Sequence, residues 1–143
     1  MRLEKCDFRH AGAILGSRPA WAELRDTIAS ISDVEILAVH KELSDRRAAA
    51  QKRPPAGGQS ALNELIRRRL AGLEWEREPA LFEGAGLRKW KMDFFKDAVG
   101  VEVSFNHAEA IAWTLTRLNV AGESAAVLDE HRIDVGVAVF PSV

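Results

Sequence analysis

Asp93, Glu102 and Ser104 are the residues whose types and spacing could do chemistry. Residues 90–95 read as one strand and residues 99–105 as a second. The second alternates strictly, with Val99, Val101, Val103 and Phe105 on one face and Gly100, Glu102 and Ser104 on the other. Lys96, Asp97 and Ala98 leave room only for a tight turn, so the pair is expected to form an antiparallel hairpin. Neighbouring strands lie about 4.8 Å apart, so an acid on each could share a divalent cation. Such an ion, with coordination positions left open for water and phosphate, supplies what phosphodiester hydrolysis requires. It activates the water, neutralises charge on the phosphate and relieves the leaving oxygen.

Val101-Glu102-Val103 is the strongest local signal. A carboxylate in the middle of a strand whose other face is apolar is costly unless a metal ion compensates it. The alternative is an edge strand on which Glu102 meets water, and the pattern alone leaves both open.

The surrounding elements must position this hairpin. Residues 7–16 suggest a short helix stopped at Gly16, and Pro19 opens another over about 19–31, with Trp21, Leu24, Ile28 and Ile31 as its apolar stripe. Residues 34–39 are ambiguous between strand and helix, and 40–50 read as polar and helical. The Lys-Arg-Pro-Pro-Ala-Gly-Gly-Gln run at 52–59 is the clearest break and is read as a loop within a single domain spanning 1–143. Ser60 is expected to cap a helix over about 61–72. The stretch 73–79 is irregular or extended, and Gly84 and Gly86 mark a turn. Asn106 suits the cap of a helix over about 107–119, with Ile111, Leu115 and Leu118 aligned. Residues 133–140 form a near-continuous apolar strand, of the kind usually central in a sheet. Strand, helix, strand implies a parallel right-handed crossover, and the fold class is α/β, with a mixed sheet flanked by helices.

Composition narrows the classes. A chain of 143 residues with 47% apolar and 29% charged residues has globular values and room for one ordinary domain. The start lacks the long apolar stretch of a signal peptide, and no apolar run is long enough for a membrane span. Cys6 is the single cysteine, which excludes an internal disulfide and fits a cytoplasmic protein; it is expected to be buried and inert. The four histidines and Cys6 show no zinc-like spacing. The net charge of −1 does not announce a nucleic-acid partner, but basic residues gather at 41–53, 66–69 and 88–96 while the end of the chain is acidic. The basic clusters read either as phosphate contacts or as solvated helix faces.

The stretch from Lys91 to Asn106, Lys-Met-Asp-Phe-Phe-Lys-Asp-Ala-Val-Gly-Val-Glu-Val-Ser-Phe-Asn, resembles the catalytic hairpin of the BglII-type restriction endonucleases, within the PD-(D/E)XK nuclease superfamily. Asp7 to Glu23, Gly58 to Trp75 and Ile133 to Val139 are similar, in order, to segments flanking that hairpin. The resemblance implies a restriction-endonuclease-like fold and Mg²⁺-dependent hydrolysis of double-stranded DNA, of type II and site-specific, with Mn²⁺ as a substitute ion. It also implies a homodimer on a two-fold symmetric site. By position, Asp93 and Glu102 match the metal-binding carboxylates. Ser104 matches the third position of the motif, held by Lys in most of the superfamily and by Gln or Glu in closer relatives. Glu78, three residues after Trp75, matches a further active-site polar position or is a surface glutamate before Pro79.

Two departures stand out. Ser104 is shorter than Lys, Gln or Glu, so it could orient water only at close range. Lys91 could supply the missing positive charge, contact a phosphate or end a strand in solvent. Asn106 and His107 could face DNA, or His107 simply opens its helix. Trp113 reads as core or subunit interface. Members of the family usually continue beyond the strand ending at Phe140, which implies a form shortened at its C-terminus. Ser104 and that shortness also motivate the alternative of an inactive nuclease-fold module that binds DNA or a partner.

Overall fold

The computed structural model describes residues 4–84, 90–104 and 108–140, with the side chains of 108–110 excepted. Asn106 and His107, the expected DNA-facing pair, lie outside the described residues, as does Gly86. The chain divides into two compact units, one built from residues 23–73 and the other from 4–22 and 74–143.

The first unit is helical. The expected helix over 19–31 is observed as α2, Pro19–Ala29, and the division between the units falls inside it. Its Leu24 and Ile28 are buried, as is Ile31 just beyond it. The ambiguous stretch 34–39 is helical and merges with the polar segment that follows into α3, Asp33–Ala49. Its start is fixed by a capping box: the Glu35 N–H donates to Ser32 Oγ while the Glu35 carboxylate accepts from the Ser32 N–H at 2.9 Å. α4, Gln59–Ala71, buries Leu62, Leu65, Ile66 and Leu70 as the apolar spacing requires, but Gly58 rather than Ser60 holds the cap position and no side chain caps it.

The basic run in α4 is tied up internally. Arg67 and Arg68 pair with Glu64, Arg68 also reaches Glu42 at 2.8 Å, and Arg69 pairs with Glu35 at 2.5 Å. These contacts hold the Glu35 and Glu64 carboxyls down at about 2, Glu35 chiefly through its Ser32 hydrogen bonds and Glu64 chiefly through Arg67. That cluster behaves as a solvated helix face rather than as a free patch for phosphate.

The second unit carries the sheet. α1, Ala11–Gly16, is shorter than expected because Arg9 and His10 adopt positive φ. Cys6 is exposed rather than buried, since it lies before α1 in a segment without regular structure. Four strands follow in the spatial order of the sequence: β1, Glu76–Arg77; β2, Phe94–Lys96; β3, Val99–Val103; and β4, Val135–Val139. β1–β2 and β2–β3 are antiparallel, and β3–β4 is parallel, with Val99 opposite Val135 and Glu102 opposite Ala138. α5, Ala108–Glu123, makes the crossover between the parallel pair.

The mixed sheet flanked by helices is therefore as expected, with differences in detail. β2 is shorter than the expected strand: Asp93 sits at a bend, and Lys91 makes only an isolated bridge to Ala80. Lys96 belongs to the strand, and Asp97 and Ala98 make the turn with φ of +50° and +58°. Two consecutive positive φ values are the signature of the hairpin turn that matches strand twist. Arg18 fastens this turn, donating to Asp97 O at 2.5 Å and pairing with Asp134 at 2.5 Å.

β4 ends the sheet among the described residues instead of being central, and Gly136 on it is exposed. Of the two interior strands, β3 is the one buried on both faces along its whole length. One core lies between the sheet and α5, where Met92, Leu118, Ala121, Val127 and Ile133 pack together with Leu81. α5 is rotated from the phase expected for it. Thr114, Leu118 and Ala121 are buried, whereas Ile111 and Leu115 are exposed. His131 pins the short 3₁₀ turn Asp129–His131 to the first strand: its Nδ1–H donates to Ala80 O at 2.8 Å and Nε2 lies 3.1 Å from both Glu76 carboxylate oxygens.

Candidate active site

The hairpin register ends with Phe94 opposite Val101, and Asp93, one residue before it at the bend, is near enough to Glu102 for its charge to act on that carboxyl. Asp93 is locked there because its carboxylate Oδ2 accepts the Val103 N–H at 2.7 Å. The side chain thus takes a backbone donor that lies beyond the last residues paired in the ladder.

Glu102 is 1% exposed, which removes the reading of a solvated glutamate on an edge strand. Its Oε2 lies 2.6 Å from the Arg117 guanidinium on α5, while its Oε1 is buried with no partner. Burial and the charge of Asp93 push the Glu102 carboxyl up to about 8, against the pull of Arg117. Burial also raises Asp93, opposed by the Val103 N–H and Arg117 and assisted by the charge of Glu78.

The other expected residues fall around this pair. Glu78 is brought beside it through the backbone, its N–H donating to Asp93 O at 3.1 Å, but its carboxylate is about half exposed. That carboxylate stands 3.6 Å from both Lys91 Nζ and Arg77. Lys91 is therefore engaged with Glu78. Ser104 is buried just past the end of β3, anchored by its N–H to Val139 O at 3.0 Å. Trp113 is 62% exposed, edge-on to Trp90 at 6.1 Å between ring centroids, so it is not core.

Sequence reasoning missed Arg117. Its signal was present: the described helix α5 carries Arg117 as its single basic residue, on a face shared with Leu118 and Ala121. A lone cation on the packed face of an apolar helix needs a buried anion, and β3 supplies one.

The residues present suit a divalent cation. An unpartnered buried carboxylate oxygen, next to a second carboxylate and only one arginine, is a site with surplus negative charge. Asp93 and Glu102 are the ligands available from side chains. Among the described residues no group of three or more His, Cys, Asp or Glu forms a larger cluster, so water and main-chain oxygens would complete the shell.

A hairpin bearing two carboxylates, continued by a crossover helix into a parallel strand, is the core of a restriction-endonuclease fold. The solved structure of the restriction endonuclease BglII complexed with a DNA 16-mer matches this chain with a TM-score of 0.67 at 20% identity. The match covers 96% of this chain and 59% of that one, so the chain spans less than two thirds of the BglII chain. The chain belongs to the BglII/BglIII restriction endonuclease family, whose model matches residues 3–143. No curated protein matches it in sequence.

Proposed function

We propose that the chain is a Mg²⁺-dependent endonuclease of type II that hydrolyses phosphodiester bonds in double-stranded DNA. The observation that carries this reading is Glu102, buried in the central strand beside Asp93 with one oxygen unpartnered. Membership of a restriction endonuclease family supports it, and so does the likeness of fold to a protein solved on DNA.

Asp93 and Glu102 would hold the ion, Mg²⁺ or Mn²⁺ in its place, and its chemistry there is Lewis-acid neutralisation of the phosphate and acidification of water. Asp93 is kept in place by the Val103 N–H, so one ligand is oriented before any ion arrives. Ser104 orients water at short range, donating and accepting through one hydroxyl. Glu78, exposed beside Asp93, can take up a proton or assist a second ion. Lys91, paired with Glu78 at 3.6 Å, would exchange that partner for the DNA backbone, which Asn106 and His107 would also contact.

The active form is a homodimer matched to a two-fold DNA site. The exposed apolar residues Ile111 and Leu115, one turn apart on α5, support this, because adjacent apolar exposure on a helix marks an interaction surface.

A second reading is favoured by Ser104, which is too short to reach far into the site: a module that binds DNA or a partner without cutting. Supercoiled plasmid decides between them. With Mg²⁺ the chain is expected to nick and linearise it. Chelator abolishes cutting, and Asp93→Asn or Glu102→Ala lowers it by about a hundredfold or more. DNA binding without cleavage in Mg²⁺ and Mn²⁺ would establish the second reading.

A further inference from the structure

The acidic pair has a cation already, and it comes from the crossover helix. Arg117 Nη2 sits 2.6 Å from Glu102 Oε2, its side chain is 30% exposed, and its Nε is buried without a partner. Thr114, one turn earlier on the same helix, is 1% exposed and its hydroxyl is unpartnered too. Unsatisfied buried polar atoms are uncommon in folded proteins. Here three of them belong to Glu102, to its ion-pair partner and to the neighbouring turn of that partner's helix.

A guanidinium has five donors in a planar fork and does not lose its proton, which makes it well suited to a phosphate. The Arg117 contact accounts for one nitrogen only. The other candidate cation, Lys91, is held by Glu78 at 3.6 Å. Ser104, at the position where a long side chain was to be looked for, carries no charge.

We propose that Arg117 is a positioning residue for the DNA phosphate, held on Glu102 by an ion pair with which a divalent cation must compete. This rests on the cation reading of the Asp93–Glu102 pair. Two positive groups on one carboxylate repel, so an ion at Glu102 loosens Arg117, and the guanidinium then has its fork free for a phosphate oxygen. The same residue therefore weakens the empty site's hold on the ion and strengthens the loaded site's hold on DNA.

Opposite effects on the two ligands separate this from a structural strut. Ca²⁺ is titrated calorimetrically into the full chain without DNA, and DNA binding is then measured in Ca²⁺ over a range of salt. Arg117→Met is expected to bind Ca²⁺ about tenfold more tightly than wild type, since a neighbouring charge is removed. It is expected to bind DNA more weakly, with the slope of log affinity against log salt reduced by about one. Arg117→Lys keeps the charge and is expected to restore Ca²⁺ affinity to near the wild-type value while recovering only part of the DNA affinity, for want of the fork. Equal or weaker Ca²⁺ binding by Arg117→Met overturns the proposal, as does an unchanged salt slope. Loss of the folded state in both Arg117→Met and Arg117→Gln also overturns it, because Arg117 would then be a strut. If wild type itself binds no Ca²⁺, the cation reading of the site fails first, and the competition fails with it.

Discussion

Glu102→Gln should make the protein more stable and less active, and the stabilisation should grow with pH. The glutamate has a folded-state carboxyl raised from 4.5 to about 8, chiefly by burial and then by Asp93. The sign follows from linkage. A raised folded value means that the native state favours the protonated form. The stability this contributes is complete below 4.5 and is lost as pH rises through about 8. At about 1.4 kcal/mol per pH unit, the interval bounds the loss at about 5 kcal/mol. Relaxation around a buried charge reduces this, and about 2–3 kcal/mol is the expected difference. Glutamine keeps the shape of the neutral acid and cannot ionise. Urea melts in chelator, near pH 5 and near pH 9, should thus show little difference between variant and wild type at the lower value. At the upper one Glu102→Gln should gain about 2–3 kcal/mol. A stability difference that does not change with pH would refute the burial argument, because it would mean that Glu102 is ionised throughout at no cost. Destabilisation at high pH would show that the Arg117 ion pair outweighs desolvation.

Two further outcomes concern the frame that holds the site. Ala98→Gly should stabilise the chain by about 0.5–1 kcal/mol in a urea melt, because Ala98 holds a φ of +58° that costs a residue with a Cβ more than it costs glycine. Gly100→Ala should destabilise it by about 1–3 kcal/mol, since the new Cβ would lie 2.5 Å from Met92 Sδ and 2.8 Å from an Ile133 methyl; an unchanged melt would mean that this core is loosely packed.

The hairpin was legible because two independent constraints agree on it: strict alternation over 99–105 and room for only the three residues Lys96, Asp97 and Ala98 between the strands. The nearness of Asp93 to Glu102 follows from that hairpin. What alternation could not supply was coverage of the polar face, and so Glu102 remained open between solvent and core until α5 was seen to bury it. The phase of α5 was misread because Ile111, Trp113 and Leu115 are apolar and yet exposed, so hydrophobicity does not mark its buried face. Arg117 escaped for the same reason, being a charge on the side that packs. At α3 a legible signal went unused: Ser32 and Glu35 stand at capping-box spacing and settle a helix where the apolar run alone was ambiguous. Glu78 was located only by resemblance, since it sits in no periodic element, whereas alternation already set Ser104 on the face of Glu102 and resemblance added its role.

Arg117 reaches the acidic pair from the helix that follows β3, and this bears on the order in which the chain acquires its structure. A hairpin closed by two residues ordinarily zips up early, because its contacts are local. Here zipping would set two carboxylates side by side before any positive group arrives. The counter-charge comes only when α5 folds back over the sheet, the movement that also lets β4 pair in parallel with β3. The hairpin and its crossover are thereby coupled: repulsion between the two carboxylates, about 0.2–1 kcal/mol on a solvated hairpin, disfavours the hairpin alone until the crossover brings its counter-charge.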